Sequence, residues 1–224
     1  MGAPMYRLAA ALGCVLAAAA AHGGDLALRV EHEMTTVGED GVTRTVRFAE
    51  RLVRRDSESW VARVVPAVAH DDDEHRAGGR EHKHMDISAA SRWVTRRPDG
   101  TLQVRIVDDH RRVVFEVGKT DFANIGFDGR WTTANQLLDP QQVQRMKPSA
   151  RHAPPGARWF EVQGATRVSV LWDEQEQYPR RIESGNAAGT RRSTLVAFRE
   201  AMPSQMPWTR LEGFQQRDYS DLLD

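Results

Sequence analysis

The chain has 224 residues, 31 basic and 31 acidic side chains, and 40% hydrophobic residues. This length supports a domain with its own core, and the balance of apolar and charged residues excludes a disordered chain. A formal net charge of zero gives no electrostatic basis for binding nucleic acid. We therefore expect a globular protein without a nucleic-acid partner.

The N-terminus predicts export. An apolar run, Leu8–Ala21, follows Arg7 and ends in small residues, which is typical of a signal peptide cleaved after Ala21. The run is too short to span a bilayer comfortably, so we expect no transmembrane segment in the mature chain. A membrane anchor and a lipidated Cys14 are weaker alternatives, since cleavage at Cys14 would cut the run in half. We expect a periplasmic protein without cysteine.

The predicted organisation has three parts. Residues 1–21 are the signal peptide, residues 22–202 form a β-rich half-barrel domain, and residues 203–224 form a C-terminal tail. A polar loop rich in histidine and aspartate, residues 66–90, interrupts the domain. Trp208, Phe214 and Tyr219 are the expected packing anchors of the tail.

Short segments of alternating apolar and polar residues predict half-buried strands. They are Asp25–Val37, Val42–Arg55, Trp60–Val65, Ser91–Arg97, Thr101–Val107, Arg112–Val117, Arg158–Val162, Thr166–Trp172, Tyr178–Ser184 and Thr190–Phe198. Turn signals separate several of them, such as Gly38–Gly41 and Pro98–Gly100, where glycine tolerates the positive φ of a tight turn.

One helix is predicted in the mature chain. Asp139 is a good N-cap, Pro140 suits the first helical position, and the helix should run to Met146. Residues 118–138 are rich in glycine and aromatic residues and show no clear period. Many short strands and little helix indicate a mainly β fold, namely a curved antiparallel sheet (a half-open β-barrel) with one short helix on its concave face.

The order of elements resembles the LolA/LolB-like fold of periplasmic lipoprotein carriers. The likeness is carried by the opening strand Leu26–Thr36, the segment Phe48–Leu52 and the late hairpin from Leu171 to Ile182. It spans most of the mature chain without a diagnostic motif, and the long His-rich loop departs from the family. The resemblance implies the architecture and, as a function, a carrier or sensor that holds a lipid or acyl chain in the concave face.

The polar loop contains the clearest ligand pattern. Four of the chain's eight histidines lie in it, beside acidic residues and a methionine. Imidazole, carboxylate and thioether groups are a mixed donor set suited to copper or zinc, and a His-x-His pair on a strand points both rings to one face. We therefore expect a metal site formed by His70, His75, His82, His84 and Met85. The alternative is a solvated surface loop without a ligand.

Other candidate residues are weaker. His22 would be the first residue after cleavage, and its free amine could help to bind copper. His32 lies alone on the first strand, where a structural role is usual. The six tryptophans either line an apolar pocket or fill the core, and core packing is favoured because aromatic residues commonly occupy strand centres.

No catalytic motif is present in the sequence. It lacks a Gly-x-Ser-x-Gly elbow and a phosphate-binding glycine loop before a helix, and the mature chain lacks a cysteine nucleophile. We therefore expect a non-enzymatic, exported binding protein of the bacterial envelope. Binding of copper or zinc by the loop is the main hypothesis. The alternatives are a lipid or lipoprotein carrier and a structural partner of an envelope protein.

Overall fold

The computed structural model describes residues 24–65, 87 and 89–222. These residues contain one sheet of 12 strands in the order β12-β6-β5-β4-β3-β2-β1-β11-β10-β9-β8-β7. The strands are β1 (Leu26–Val37), β2 (Thr43–Arg55), β3 (Glu58–Val64), β4 (Ser91–Arg96), β5 (Leu102–Asp108), β6 (Val113–Val117), β7 (Lys147–Pro148), β8 (Ala157–Val162), β9 (Thr166–Asp173), β10 (Tyr178–Asn186), β11 (Arg191–Glu200) and β12 (Gln215–Asp218). Neighbouring strands are antiparallel except for β12 and β6, which are parallel. The sheet is curved and does not close.

All predicted strands occur in the structure, with their ends shifted by at most two residues. The hairpin glycines have the backbone conformation that their turns require, since φ is 74° at Gly41 and 82° at Gly100. The mainly β fold predicted from the period-2 pattern is therefore confirmed. Strands β7 and β12 were not predicted, because two and four residues are too few to show a period.

Two short α-helices connect β6 to β7. The helix α2 (Pro140–Gln144) is the predicted one, and the Asp139 side chain accepts a hydrogen bond from the backbone N–H of Gln141 at 2.9 Å. The helix α1 (Trp131–Gln136) and a 3-10 helix, Lys119–Ile125, lie where no regular element was expected. The six residues of α1 have no side-chain cap and cannot be stable alone, so packing must hold the helix in place.

The helical connection lies across one face of the sheet, which we call the inner face. Ala134 of α1 packs with residues of β4, β5 and β6, whereas Val143 of α2 packs with residues of β9. In the strand order β5 and β9 are seven places apart, which would be about 34 Å in a flat sheet. Because Ala134 and Val143 are only nine residues apart in the chain, the sheet must curl around the helices. The inner face is therefore the concave one.

The opposite, outer face is covered in part by the C-terminal tail. Trp208 and Phe214 pack against a cluster that contains Val53 and Trp60, while Tyr219 is buried beside β6. All three expected anchors of the tail therefore pack against the sheet. The six tryptophans are buried or pack against a core cluster, which confirms the core interpretation; they are Trp60, Trp93, Trp131, Trp159, Trp172 and Trp208.

The residues that predict export, including Cys14 and His22, lie outside the described part of the chain, so the signal peptide stays a prediction. Among residues 24–65, 87 and 89–222, no helix is long and hydrophobic enough to cross a membrane.

Candidate ligand site on the inner face

The predicted metal ligands lie outside the described residues. His70, His75, His82, His84 and Met85 all fall between residues 66 and 86. Binding of copper or zinc by these residues therefore stays a prediction. Within the described part of the chain, no group of three or more His, Cys, Asp or Glu side chains could hold a metal ion.

Side chains that are mostly apolar form two rows across the inner face, beyond the helices. Leu28 of β1 and Leu52 of β2 pack in the cluster that includes Leu137, the C-cap residue of α1, so both leucines lie on the inner face. Every second residue of β1 and β2, counted from these leucines, lies on the same inner face. Strand pairing then aligns the two rows. The first row is Phe48, His32, Leu195, Ile182, Val170 and Phe160, and the second row is Val46, Met34, Ser193, Ser184, Val168 and Val162.

The second row is open to solvent at the end of the half-barrel that the helices leave uncovered. Met34, Val46 and Val162 are 44%, 51% and 47% exposed. A single exposed apolar residue is ordinary, but these three share a concave surface with half-buried Phe48 and Leu195. The second row is apolar at its two ends and carries Ser193 and Ser184 between them, while the adjacent first row supplies Leu195, Ile182 and Val170 beside the serines. A ligand could cover this surface.

A cluster of charged side chains lies next to the first row, on the side that faces the helices. The Nε2 atom of His32 is 3.1 Å from Oε2 of Glu50, and the imidazole stacks on the Phe48 ring with centroids 4.4 Å apart. The guanidinium carbon of Arg63 lies 3.6 Å from the centroid of the same ring. Glu50 and Arg63 are directly paired across β2 and β3, and β4 adds Arg92 to this face.

The arginines of this cluster have no close anionic partner among residues 24–65, 87 and 89–222. Arg92 is half-buried, and its guanidinium carbon lies 5.4 Å from the centroid of Phe127. Burial lowers the pKa of Arg92, and the charges of Glu50 and Asp128 offset this only in part. Within the described residues, neither Arg63 nor Arg92 makes a side-chain hydrogen bond or a close ion pair.

Glu50 is the central carboxylate of the cluster. Burial by itself would raise the pKa of Glu50, but His32, Arg92 and Arg63 together hold this pKa below its ordinary value. The carboxylate is therefore charged at neutral pH. The carboxylates of Glu50 and Asp128 thus act on two guanidinium groups that make no close ion pair among the described residues, and the guanidinium donors lie beside the apolar side chains of the rows. Such a surface can bind an amphiphile with a negative headgroup.

A buried arginine fixes the helices at the other end of the inner face. Arg54 is 1% exposed and donates hydrogen bonds to the backbone carbonyls of Gly24, Asn135 and Glu176 at 3.1, 3.0 and 2.6 Å. The Ser59 hydroxyl donates a further bond to a carbonyl of α1 at 2.6 Å. Burial lowers the pKa of Arg54, opposed by the charge of Glu176. These bonds attach α1 to β2 and β3, and the uncovered end of the sheet is left as the candidate site.

A groove of about 790 Å³ lies where β3 ends. His32, Phe48 and Arg63 of the inner face line it, together with outer-face residues of β1, β2 and β11. Among the described residues, β3 pairs with β2 no further than Ala49 and Val64. The groove therefore adjoins the candidate site, with which it shares His32, Phe48 and Arg63.

Sequence reasoning missed most of this site. His32 was interpreted as a structural residue, and neither Arg63 nor Arg92 was singled out. One signal was available in β2, where Val46, Phe48 and Leu52 set an apolar period of two that Glu50 interrupts. A charged residue at a strand position where the alternation predicts an apolar one indicates either a buried ion pair or a ligand site.

No protein-family model and no curated protein matches the chain. Among solved structures it is similar to an uncharacterized conserved protein from Thermus thermophilus, with 9% identity and a TM-score of 0.38 over 85% of this chain and 90% of that one. A putative outer membrane lipoprotein-sorting protein domain from Vibrio parahaemolyticus has 8% identity and a TM-score of 0.34, with 84% and 89% covered. A LolA superfamily protein from Nitrosomonas europaea has 10% identity and a TM-score of 0.33, with 85% and 90% covered. The names of the last two structures refer to lipoprotein sorting and to the LolA superfamily, the family that the order of elements in the sequence resembles.

Proposed function

We propose that this protein is an exported, non-enzymatic carrier or sensor of a lipid or lipoprotein, and that it holds an acyl chain against the inner face. One observation carries the proposal. Exposed Met34, Val46 and Val162 lie in one row of a concave surface that the helices leave open, next to the apolar residues of the first row. Covering this row would stabilise the complex by about 25 cal/mol for each Å² of apolar area removed from water.

The shape and chemistry of the inner face support this proposal. Ligand sites in proteins are usually concave and apolar, with a few polar groups that orient the ligand. The first row runs from Phe48 on β2 to Phe160 on β8 and crosses five strand spacings, about 24 Å. This length suits an extended acyl chain. Copper or zinc binding by the His-rich loop is a separate prediction, since its residues lie outside the described part of the chain.

Titration with N-phenyl-1-naphthylamine, a neutral apolar fluorophore, tests the proposal on the mature chain, residues 22–224. Val46→Asp places a carboxylate in the apolar row and should weaken binding at least about tenfold, because a charge must then be desolvated. Phe198→Asp is the matched control. Phe198 is 48% exposed, close to the 51% of Val46, but lies on the outer face, since its neighbour Ala197 packs in the inner cluster.

The control variant should bind the fluorophore as the wild type does, and circular dichroism should show the same fold for all three proteins. Absence of binding to the wild type, or equal weakening by both substitutions, would refute an acyl site on the inner face.

A further inference from the structure

We propose that the ligand is a long-chain carboxylate, whose headgroup lies at Arg63 and Arg92 and whose chain lies along the apolar rows. This inference rests on the proposed function and adds the charge and the orientation of the ligand. The occupant is thus a single-chain anionic amphiphile rather than a neutral lipid.

Arg63 and Arg92 are cations without a close acceptor among the described residues. Arginine on an inner sheet face is normally paired, because leaving a half-buried guanidinium without an acceptor is unfavourable. In the described part of the chain, the charges of Glu50 and Asp128 act on Arg92 without a close ion pair, and the close contact of Glu50 is with His32 at 3.1 Å. Arg63 and Arg92 thus retain donors that an added anion can use.

The contact with Phe48 leaves the hydrogen-bond donors of Arg63 available. The guanidinium carbon of Arg63 lies 3.6 Å from the centroid of Phe48, on the face of the ring. Stacking on an aromatic face holds the side chain in place without using its N–H donors. Carboxylates match the planar fork of arginine and accept two parallel hydrogen bonds from it. Phe48 therefore positions Arg63 for an anionic headgroup.

Polar groups give way to apolar groups along β2 toward the open end of the half-barrel. On β2, Glu50 is followed toward the hairpin by Phe48 and then Val46, each one row closer to the open end. The two steps cover four residues, about 13 Å. The cations therefore lie at the end of the inner face nearer to the helices, and the exposed apolar residues lie at the open end. An amphiphile that enters headgroup first has the same order of polar and apolar groups.

Displacement of bound N-phenyl-1-naphthylamine by tetradecanoic acid and by tetradecan-1-ol tests the inference at about pH 8, where the acid is ionised. The two competitors have the same chain length and differ in headgroup charge. We expect the acid to bind the wild type about tenfold or more tightly than the alcohol, because hydrogen bonds to charged groups are the strong ones.

Variants locate the headgroup. Arg63→Gln with Arg92→Gln should reduce the preference for the acid to about one and leave the affinity for the alcohol unchanged. Arg51→Gln is the matched control, since Arg51 lies on the outer side of β2 and pairs with Glu200 at 2.7 Å. It should keep the preference. Glu50→Gln removes the competing carboxylate and should raise the affinity for the acid, which provides a test if the double variant does not fold.

The outcomes separate the two proposals. Equal affinity for acid and alcohol in the wild type would overturn this inference and leave the acyl-chain site intact. A preference for the acid that persists in the folded double variant would overturn the placement at Arg63 and Arg92. If the double variant does not fold, unchanged or weaker binding of the acid by Glu50→Gln would overturn it. Failure of both competitors and of the fluorophore to bind would overturn the proposed function as well.

Discussion

Replacing Arg54 by methionine should strongly destabilise the fold, because one buried side chain joins three separate parts of the chain. Its guanidinium bonds the carbonyls of Gly24, Asn135 and Glu176. The Gly24 carbonyl lies in an exposed residue and can turn to water, whereas Asn135 is buried and Glu176 half-buried, and both of their carbonyls would lose a partner. Each buried group left unsatisfied costs about 1–3 kcal/mol, and the smaller gain from burying methionine offsets part of this. We expect a net loss of about 3 kcal/mol in the free energy of unfolding.

Urea unfolding followed by tryptophan fluorescence measures this loss, and a thermal scan should show a melting temperature lower by roughly 6–12 °C. Arg55→Met is the matched control: the adjacent arginine is 40% exposed and pairs with Asp25 at 2.7 Å, an exposed pair worth at most about 1 kcal/mol. Hydrogen exchange should also show that α1 loses protection in the Arg54 variant before the strands do. Equal losses in the two variants, or unchanged protection of α1, would refute the role assigned to Arg54.

Three further predictions concern the charged cluster, the loop and the N-terminus. Glu50 has a folded-state pKa below its ordinary value of 4.5, so its contribution to stability is present above that pH and is lost as the pH falls through the folded pKa. The stability difference between wild type and Glu50→Gln, about 1–2 kcal/mol at neutral pH, should therefore disappear in acid urea titrations; a constant difference would contradict this reasoning. Copper or zinc should bind the wild-type loop more than about tenfold more tightly than a variant with His82→Ala and His84→Ala, with binding weakening below about pH 6.5. Equal calorimetric titrations of both proteins would reduce the loop to a solvated insertion. N-terminal sequencing of the exported protein should begin at His22, and a lipid-modified Cys14 in the membrane fraction would disprove this cleavage.

Much of the fold could be predicted because local sequence encodes it. Alternation of apolar and polar residues marks each long strand, and Asp139-Pro140 marks the start of α2 through a side-chain cap and a fixed φ. The helix α1 could not be predicted, since its six residues contain neither signal and its stability comes from contacts with distant strands. Strand β12 depends in the same way on its neighbour β6.

The candidate site could not be predicted because it depends on strand register. Glu50 faces Arg63 only because β2 and β3 pair at that position, and His32 faces Phe48 only through the register of β1 with β2. A shift of one residue would turn each side chain to the opposite face. The sequence pattern instead drew attention to the histidines of residues 66–86, where a metal site still awaits a test.

The most direct test of an acyl site on the inner face is a nuclear magnetic resonance measurement on protein with labelled methionine methyl groups. A stearic acid with a nitroxide near its methyl end serves as the probe, and the nitroxide broadens the signals of nearby methyl groups. Met34 lies in the exposed inner row, whereas Met206 is 7% exposed and packs on the outer face. We predict strong broadening of the Met34 signal and little change at Met206. Equal broadening of both, or none at Met34, would contradict an acyl chain held on the inner face.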